Sequence, residues 1–372
     1  MIMKSILIVS PDTTGTIPSI AYTLYKTLKK CKECSVYVAV MRNSGSSPFP
    51  VEFTYVYNSK KGGYFSKIQF LKRIKKERKI DITISTLTAC NTFNVLSKVK
   101  DKTIGIFHAP LAQTKNVSYL NYLRCKFSYS FIFKKLDKRY AVSETVKADV
   151  EKYTGRSAEL VYNIHDFGRI FSLASEKLTS AEQQIFTKPT ALYVGHLYDT
   201  KGVRRLIQAF SQVNSEANLV IVGEDENKSI PTAYKELAKE CSVDKRVFFL
   251  GYQDNPYKYM KNCSAFILPS YSEGLPGVLI EALSLNRMVI TTNSSKGVWE
   301  IMQCYNSYLD SLSAPFETEL GIITSNEDTN NECVRQLSDS MNKLLGESDN
   351  TILPFDKSRF DGDSLAHYYI NI

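Results

Sequence analysis

The chain has 372 residues, of which 43% are hydrophobic and 23% are charged, and its formal net charge is +9. This length favours two globular domains over one, with enough apolar side chains for ordinary cores. Every apolar run falls short of the roughly 18 residues that a membrane-spanning helix needs, so we expect no such helix.

Positive charge is concentrated in the first half of the chain. Residues 1–180 contain 30 Lys and Arg against 13 Asp and Glu, whereas the remainder contains 17 against 25. A basic half predicts an anionic partner such as a membrane surface, a phosphate-linked lipid or a nucleic acid. No helix-turn-helix, zinc-finger or RNP-like pattern accompanies the charge, so we expect no nucleic acid partner.

The beginning of the chain and its cysteines bear on the compartment. A single Lys and a very short apolar run at the start predict a first strand rather than a signal peptide. The eight cysteines lack the spacing of a disulfide framework, and the C-x-x-C of Cys31 and Cys34 lacks the second pair of a zinc site. We therefore expect reduced thiols and a cytoplasmic protein.

The first predicted elements alternate between strand and helix. Residues 5–9 form an apolar run that predicts a strand buried on both faces, and a helix is predicted over residues 17–30. The connecting loop contains Gly15. Such alternation is typical of a parallel α/β sheet. The next predicted strands cover residues 36–40, 53–56 and 82–85.

A basic amphipathic helix is predicted over residues 62–79. Its apolar stripe contains Phe65, Ile68, Leu71 and Ile74, and lysines and arginines occupy much of the remaining surface. Most stripes of this kind pack into a core, with the charges solvated. Contact of this helix with a membrane surface is the alternative that the pattern leaves open.

The predicted strand over residues 102–108 ends in His108. Ligands of open α/β sheets bind beyond the carboxyl ends of the strands, so this position favours a role for His108 in a binding site. The alternative is a histidine that packs in the core or caps a helix.

Residues 116–136 are rich in aromatic side chains that alternate with lysines and an arginine. A basic aromatic helix of this kind suits the headgroup region of a lipid surface. A core helix with a charged rim would give the same pattern, and the sequence does not separate the two. A strand over residues 139–142 follows, and Ser143 is predicted to cap the next helix.

Residues 167–189 are polar and show no clear periodicity, so we predict a linker there between two domains. A second strand–helix series then begins with strands over residues 190–194, 219–222 and 247–250. The acidic triplet over residues 224–226 follows a strand, and we interpret it as an ordinary turn rather than a metal site. The last predicted helix covers residues 333–345.

The most informative stretch covers residues 265–292. It predicts a buried strand, a loop with Glu273, a helix beginning near Gly277 and a second strand. Glu281 lies on that helix, about one turn from its start. The free N–H groups of a helix start favour an anion such as a phosphate, and carboxylates accept hydrogen bonds from sugar or ribose hydroxyls.

Residues 273–283, E-G-L-P-G-V-L-I-E-A-L, resemble the E-x7-E element of the retaining nucleotide-sugar glycosyltransferases of glycosyltransferase family 4. Residues 195–202, G-H-L-Y-D-T-K-G, are similar to the G-R-L-x-x-x-K-G loop of that family, with His196 in place of the Arg. The stretches over residues 141–149 and 160–166 resemble two further family elements.

The resemblance implies the GT-B fold, in which two Rossmann-like doubly wound α/β domains face each other across a cleft. Residues 1–166 would then be the acceptor-binding domain, residues 167–189 the linker and residues 190–354 the donor-binding domain. Residues 355–372 would form a tail that crosses back onto the first domain.

The resemblance also implies roles for individual residues. Glu273 would hold the donor sugar, Lys201 would pair with the diphosphate and His108 would orient the sugar from the opposite domain. Glu281 would bind the ribose, and no metal or other cofactor would be required. The residues with an implied donor-binding role are Gly15, Gly195, His196, Lys201, Gly251, Tyr252, Glu273, Gly274, Leu275, Pro276, Gly277 and Glu281.

The implied reaction transfers a sugar from a UDP- or GDP-sugar with retention of the anomeric configuration. Together with the basic first half, this favours a lipid-linked saccharide acceptor in bacterial surface-polysaccharide assembly, whether O-antigen, capsule or exopolysaccharide. The protein would be cytoplasmic, with an anionic membrane surface as a further partner. The alternatives are a nucleotide-sugar 2-epimerase and a non-catalytic binding protein with the same fold.

Overall fold

The computed structural model describes residues 3–45, 49–58, 62–111, 118–214, 216–224, 229–304, 314–346 and 354–370. The chain divides into two compact units, the first of which combines Met1–Asp166 with Ser358–Ile372 and the second of which is Phe167–Lys357. Each unit is built on a seven-stranded sheet of mostly parallel strands. This confirms the predicted α/β class with two Rossmann-like domains.

The sheet of the N-terminal unit has the strand order β3-β2-β1-β4-β5-β6-β7, and all of its neighbouring strands are parallel. The residues of its central strands are mostly buried, as expected for strands that are covered on both faces. The strands are β1 (Lys4–Ser10), β2 (Cys34–Val40), β3 (Thr54–Val56), β4 (Ile82–Thr86), β5 (Lys102–Phe107), β6 (Lys138–Ala141) and β7 (Glu159–Leu160).

The helices of the N-terminal unit connect these strands in the order that the sequence predicted. Ser143 caps α5 by accepting a hydrogen bond from the Val146 N–H at 3.3 Å, which confirms the predicted helix start. The helices are α1 (Thr16–Lys29), α2 (Tyr64–Glu77), α3 (Leu87–Leu96), α4 (Tyr119–Phe127) and α5 (Glu144–Thr154).

The predicted core stripe of α2 is only partly correct. Leu71 and Ile74 are buried, whereas Phe65 in the first turn of the helix is exposed. The three-residue strand β3 is the edge of the sheet. The stripe therefore packs against the core from Ile68 onward, and Phe65 lies outside it.

The sheet of the C-terminal unit has the strand order β10-β9-β8-β11-β12-β14-β13, and only β13 runs antiparallel to its neighbour among the described strands. Its strands are β8 (Thr190–Val194), β9 (Asn218–Val222), β10 (Val247–Gly251), β11 (Ala265–Leu268), β12 (Met288–Thr292), β13 (Phe316–Thr318) and β14 (Gly321–Thr324). Its longer helices are α8 (Val203–Phe210), α9 (Ser229–Glu240), α11 (Gly277–Ser284) and α13 (Glu332–Gly346), and its shorter ones are α10 (Tyr257–Asn262) and α12 (Lys296–Ile301).

The predicted linker over residues 167–189 is wrong, because these residues fold as part of the C-terminal unit. They form α6 (Phe167–Ala174) and α7 (Ser180–Ile185). Phe167, Ile170 and Ala174 are the buried positions of α6, an i, i+3, i+7 pattern that is too short to be clear in the sequence.

The last residues of the chain pack within the N-terminal unit. They form α14 (Gly362–Leu365) and α15 (His367–Ile370). Lys30, which directly follows α1, forms an ion pair with Asp363 at 2.7 Å, and the Tyr140 hydroxyl donates to the Tyr368 carbonyl at 2.5 Å. The chain therefore crosses from one unit to the other near Asp166 and returns near Ser358.

Two further findings concern the cysteines and the length of the helices. All eight cysteines carry free thiols. Within the part of the chain that the structure describes, no helix has the length and apolarity to cross a bilayer.

Candidate functional site

The site in the C-terminal unit lies where the strand order reverses. Strands β8, β9 and β10 follow one another in one direction, and β11 and β12 extend the sheet in the other, so β8 and β11 are neighbours. In open α/β sheets, the loops beyond the carboxyl ends of two such strands separate and leave a crevice for ligands. The loops after β8 and β11 contain Lys201 and Glu273.

The Glu273 carboxylate contacts Ser270 and Lys201. Its Oε1 atom accepts a hydrogen bond from the Ser270 hydroxyl at 2.6 Å and lies 2.8 Å from the Lys201 Nζ atom. The Glu273 side chain is only 11% exposed, whereas that of Lys201 is 28% exposed. A lysine ammonium has three donors, so Lys201 can hold Glu273 and contact an anion in the crevice at the same time.

The two loops meet through their backbones. The Tyr271 N–H donates to the Thr200 carbonyl at 2.9 Å. Gly202 has a φ of +70°, and a Cβ atom at this position would lie 1.9 Å from the Pro269 carbonyl oxygen. Only glycine tolerates both the conformation and the approach, which brings Lys201 to Glu273.

Arg205 on α8 fixes the loop that carries Glu273. Its side chain is buried, and its Nε atom donates to the Pro269 carbonyl at 2.7 Å. The guanidinium lies 3.8 Å from the centre of the Tyr271 ring, and its Nη2 atom donates to the Asn326 side chain at 2.7 Å. Asn326 in turn donates to the Tyr271 carbonyl at 2.7 Å. Sequence analysis missed Arg205, because nothing in the sequence distinguishes the buried Arg205 from the exposed Arg204 beside it.

The loop between Glu273 and α11 is fixed from the side of β12. The Ser295 hydroxyl donates to the Gly274 carbonyl at 3.0 Å, and Leu275 is buried. Pro276 precedes Gly277, the first residue of α11. The first N–H groups of a helix have no acceptor within the helix, so they can serve an anionic ligand in the crevice.

Glu281 lies four residues into α11. Its Oε1 atom accepts a hydrogen bond from the Tyr257 hydroxyl at 3.3 Å. Burial raises the pKa of Glu281 to about 7, against the opposing effects of the Tyr257 hydroxyl and the Arg169 charge. Arg169 belongs to α6, in the region predicted as a linker, so sequence analysis could not connect it with Glu281.

Three glycines end the neighbouring strands β8, β9 and β10. Gly223 has a φ of +142°, and a Cβ atom there would lie 1.8 Å from the Gly195 carbonyl oxygen. The Gly223 N–H donates to the Gly251 carbonyl at 2.8 Å, and the Gly195 N–H donates to the Val222 carbonyl at 3.0 Å. These three strands therefore end in close contacts between backbone atoms. Sequence analysis named Gly195 and Gly251 and missed Gly223, although it directly follows an apolar strand.

His196 and Tyr252 lie on the exposed rim of this edge. The His196 ring stacks on Tyr198 with their centres 5.1 Å apart, and its carbonyl accepts from the buried Tyr193 hydroxyl at 2.6 Å. Tyr252 is 63% exposed.

The acidic triplet over residues 224–226 is described only in part. The Glu224 carbonyl accepts a hydrogen bond from the Leu197 N–H at 3.3 Å, and residues 225 and 226 lie outside the described residues.

The predicted site residues Gly15 and His108 belong to the N-terminal unit. Gly15 precedes α1 and lines a cavity of about 470 Å³ together with Asp12, Arg42 and Phe93. The cavity lies beyond β1 and β4, where the strand order of this sheet reverses.

His108 directly follows β5. Burial lowers its pKa to about 4, against an opposing effect of the nearby Asn163 side chain. The imidazole is therefore neutral near pH 7, able to donate from one nitrogen and accept at the other. Neither ring nitrogen has a hydrogen-bond partner among the described residues, so both are available to a ligand.

Residues 176–307 match the family described as glycosyl transferases group 1. The matched segment contains both the Lys201 loop and the stretch from Glu273 to Glu281, on which the sequence resemblance rests. It covers about a third of the chain.

Curated proteins show the same likeness. An uncharacterized glycosyltransferase of Methanocaldococcus jannaschii is 29% identical over 240 residues, which cover 60% of this chain and 58% of that protein. The N-acetylgalactosamine-N,N'-diacetylbacillosaminyl-diphospho-undecaprenol 4-alpha-N-acetylgalactosaminyltransferase of Campylobacter jejuni is 31% identical over 195 residues, 50% of this chain and 51% of that protein. The chain thus spans between half and three fifths of these relatives.

The structure of Anabaena HepE in complex with UDP matches this fold with a TM-score of 0.75. The alignment covers 99% of both chains at 16% sequence identity. The fold is therefore the GT-B fold of glycosyltransferases, as the sequence resemblance implied.

Proposed function

We propose that this protein is a retaining, metal-independent glycosyltransferase of family 4 that uses a nucleoside-diphosphate sugar. The observation that carries the proposal is the Glu273 carboxylate, held by Ser270 and Lys201 where the strand order reverses. The family match over residues 176–307 and the resemblance of the Glu273 to Glu281 stretch support the same reading.

In the transition state of this reaction, negative charge develops on the departing diphosphate, and the protein must stabilise that charge. Lys201 supplies a partly exposed cation beside the crevice, and the N–H groups at the start of α11 supply partial positive charge. His196, which replaces the family's arginine, adds a cation only when its imidazole is protonated. These groups would make a metal ion unnecessary for leaving-group stabilisation.

Glu273 would accept hydrogen bonds from the donor sugar, and the N–H groups of Gly274 and Leu275 would bind the same sugar from the backbone. Glu281 would accept from the ribose hydroxyls. Gly195, Gly251 and Tyr252 would contact the base and the diphosphate, and Pro276 would fix the entry to α11. In the N-terminal unit, His108 in its neutral form would contact the donor sugar, and Gly15 would lie beside the diphosphate.

The bond from the anomeric carbon to the phosphate oxygen breaks while a bond to the acceptor hydroxyl forms on the same face of the sugar. The leaving phosphate takes the proton of that hydroxyl. We assign no nucleophilic role to Glu273, in keeping with the family resemblance.

The proposed acceptor is a lipid-linked saccharide. The name of the Campylobacter relative describes transfer to a diphospho-undecaprenol acceptor. The basic first half of this chain suits a diphosphate-linked lipid and an anionic membrane surface. The reaction would take place on the cytoplasmic side of the membrane, in the assembly of a bacterial surface polysaccharide such as O-antigen or capsule.

The test is a binding and turnover screen with UDP- and GDP-sugars in the presence of EDTA. A ligand that binds only the native state raises the unfolding temperature by mass action. We expect a rise with a UDP-sugar, because the matching HepE structure contains UDP, and release of UDP when a lipid extract with diphosphate-linked saccharides is added. A folded protein that binds none of these donors would contradict the proposal, and donor conversion without an acceptor would indicate an epimerase.

Donor binding should depend on pH through Glu281. Because its pKa is about 7, the carboxyl is largely protonated at pH 6 and largely ionised at pH 8. A carboxylate accepts stronger hydrogen bonds from ribose than a carboxylic acid does, so UDP affinity should rise by roughly three- to ten-fold between these pH values. Calorimetric titration of the wild type and Glu281→Gln measures this.

The titration of UDP itself is common to both proteins and cancels in the ratio of their dissociation constants. The UDP affinity of Glu281→Gln should change with pH only as far as the titration of UDP itself requires. An identical pH dependence in both proteins would remove Glu281 from the ribose site.

A further inference from the structure

Helix α4 and the turn after it carry an exposed apolar face. Tyr119, Leu120, Leu123, Phe127 and Phe131, which we call the α4 stripe, are each between 43% and 70% exposed. The Phe127 and Phe131 rings contact each other, with their centres 4.9 Å apart. Large apolar side chains that cluster on a surface mark a contact site, whereas scattered ones are ordinary.

The α4 stripe is a single face. At about 100° per residue, its four positions on α4 cover about 100° of the helix circumference. Residues Ser128–Ile132 continue α4 as a π-helix, which has more residues per turn and keeps Phe131 close to Phe127.

The opposite face of this segment packs into the N-terminal unit. Cys125, Tyr129 and Phe133 are buried, and the Tyr129 and Phe133 rings each lie 5.3 Å from the Phe107 ring, between centres. The segment is therefore firmly anchored, and exposure of the α4 stripe is not a sign of a loose helix. The core interpretation of residues 116–136 is confirmed for this face, and the lipid-surface interpretation stays a prediction for the exposed one. Residues 116 and 117 lie outside the described residues.

Basic side chains border the α4 stripe. Arg124 and Lys126 lie on either side of it on the helix circumference, and Lys134 and Lys135 follow it, all four exposed. Residues 118–136 contain no Asp or Glu. An apolar face between cations fits the boundary between lipid headgroups and acyl chains, where the stems of Lys and Arg lie along apolar surface and their charges reach phosphates.

We propose that the α4 stripe is the surface by which the N-terminal unit binds an anionic lipid bilayer. The apolar side chains would insert at the acyl boundary, and the four cations would pair with anionic headgroups. Charge selects this partner over a second copy of the chain, because two copies of a surface with four cations and no anion repel each other. The proposal extends the function proposed above, on which it rests for its setting.

The test is flotation of the purified full chain with vesicles, without any nucleotide. We expect binding to vesicles of phosphatidylglycerol and phosphatidylcholine in equal parts, weak binding to phosphatidylcholine alone, and release as salt is raised to about 0.5 M. The variant Leu120→Ser/Phe127→Ser/Phe131→Ser should bind at least about ten-fold more weakly. A folded triple variant that binds like the wild type would overturn the proposal.

Matched variants separate this surface from general charge and apolarity. Lys134→Glu/Lys135→Glu should lose vesicle binding, whereas Lys235→Glu/Lys239→Glu, the same charge change on α9, should retain it. Tyr64→Ser/Phe65→Ser removes exposed aromatic side chains from α2 and should also retain binding. Equal losses in the α9 or α2 variants would overturn the assignment to the α4 stripe.

UDP binding by the same proteins makes the two proposals separable. The α4 stripe variants should keep the UDP-induced rise in unfolding temperature, because the stripe is not part of the donor site. If the α4 stripe variants lose vesicle binding and retain UDP binding, both proposals are supported. A wild type that binds UDP, ignores vesicles and forms a dimer that the triple variant abolishes would leave the function standing and overturn the membrane surface.

Discussion

Glu273→Gln should lower the rate of sugar transfer by roughly 10²- to 10³-fold, which is the scale seen when one preorganised polar group of a transition-state site is removed. The amide keeps the size of the side chain and can still accept a hydrogen bond from Ser270. It loses the negative charge that faces Lys201 and the developing positive charge on the sugar. Turnover with the donor found by the screen measures the effect.

The nucleotide part of the donor provides the internal control for this variant. Glu273 is proposed to hold the sugar, so UDP should bind to Glu273→Gln with nearly the wild-type dissociation constant, and the unfolding temperature should change little. Glu236→Gln makes the same chemical change at an exposed position of α9 and should be indistinguishable from the wild type. Wild-type turnover in Glu273→Gln would rule out the assignment of Glu273 to the reaction.

Most strands could be predicted, because they are apolar or buried runs between turn residues, whereas the short outer strands β7, β13 and β14 were not predicted. Parallel strands covered on both faces give such runs, and helices between them give the longer periodicity. The contact between Lys201 and Glu273 could not be predicted from the sequence. The motifs identified both residues, but the 2.8 Å distance between them depends on β8 and β11 being neighbours in the sheet. Residue spacing along the chain does not show which strands are neighbours.

Arg205 and Arg169 show where sequence reasoning reaches its limit. Arg205 has an ordinary place in α8, and its acceptors and the ring on which it stacks come from distant loops that contain Pro269, Tyr271 and Asn326. Against the larger effect of burial, the charge of Arg169 lowers the pKa of Glu281, although the two residues lie more than a hundred positions apart in the sequence. Both depend on tertiary neighbours, and charged residues with such neighbours look like solvated ones in a single sequence.

The α4 segment shows a limit of another kind. Its sequence supports a core helix and a surface helix equally, because an aromatic side chain is compatible with both environments. The structure separates them by position, with Tyr129 and Phe133 in the core and Phe127 and Phe131 outside. Helix α2 has the same ambiguity, since Phe65 is exposed although it continues the spacing of Leu71 and Ile74.

Lys201→Met should weaken UDP binding by roughly 10- to 100-fold and slow transfer further, because one side chain serves two anions. In the described structure the Lys201 ammonium lies 2.8 Å from Glu273, and its partial exposure leaves donors for a phosphate. A charge-assisted hydrogen bond to a phosphate contributes about 1.5–3 kcal/mol, which corresponds to the expected loss of affinity. Calorimetric titration with UDP measures binding, and single-turnover kinetics with the donor sugar measure the chemical step.

Two further variants show whether Lys201 serves the phosphate of the donor as well as the Glu273 carboxylate. Lys201→Arg keeps the charge and should restore most UDP affinity, while its planar guanidinium should restore less of the turnover because it cannot reproduce the contact with Glu273 in the same place. In Lys201→Met/Glu273→Gln, UDP affinity should match that of Lys201→Met, because Glu273 does not contact the nucleotide. If Lys201→Met bound UDP as tightly as the wild type, Lys201 would be only the counter-ion of Glu273, and the phosphate role would have to pass to the start of α11 and to His196.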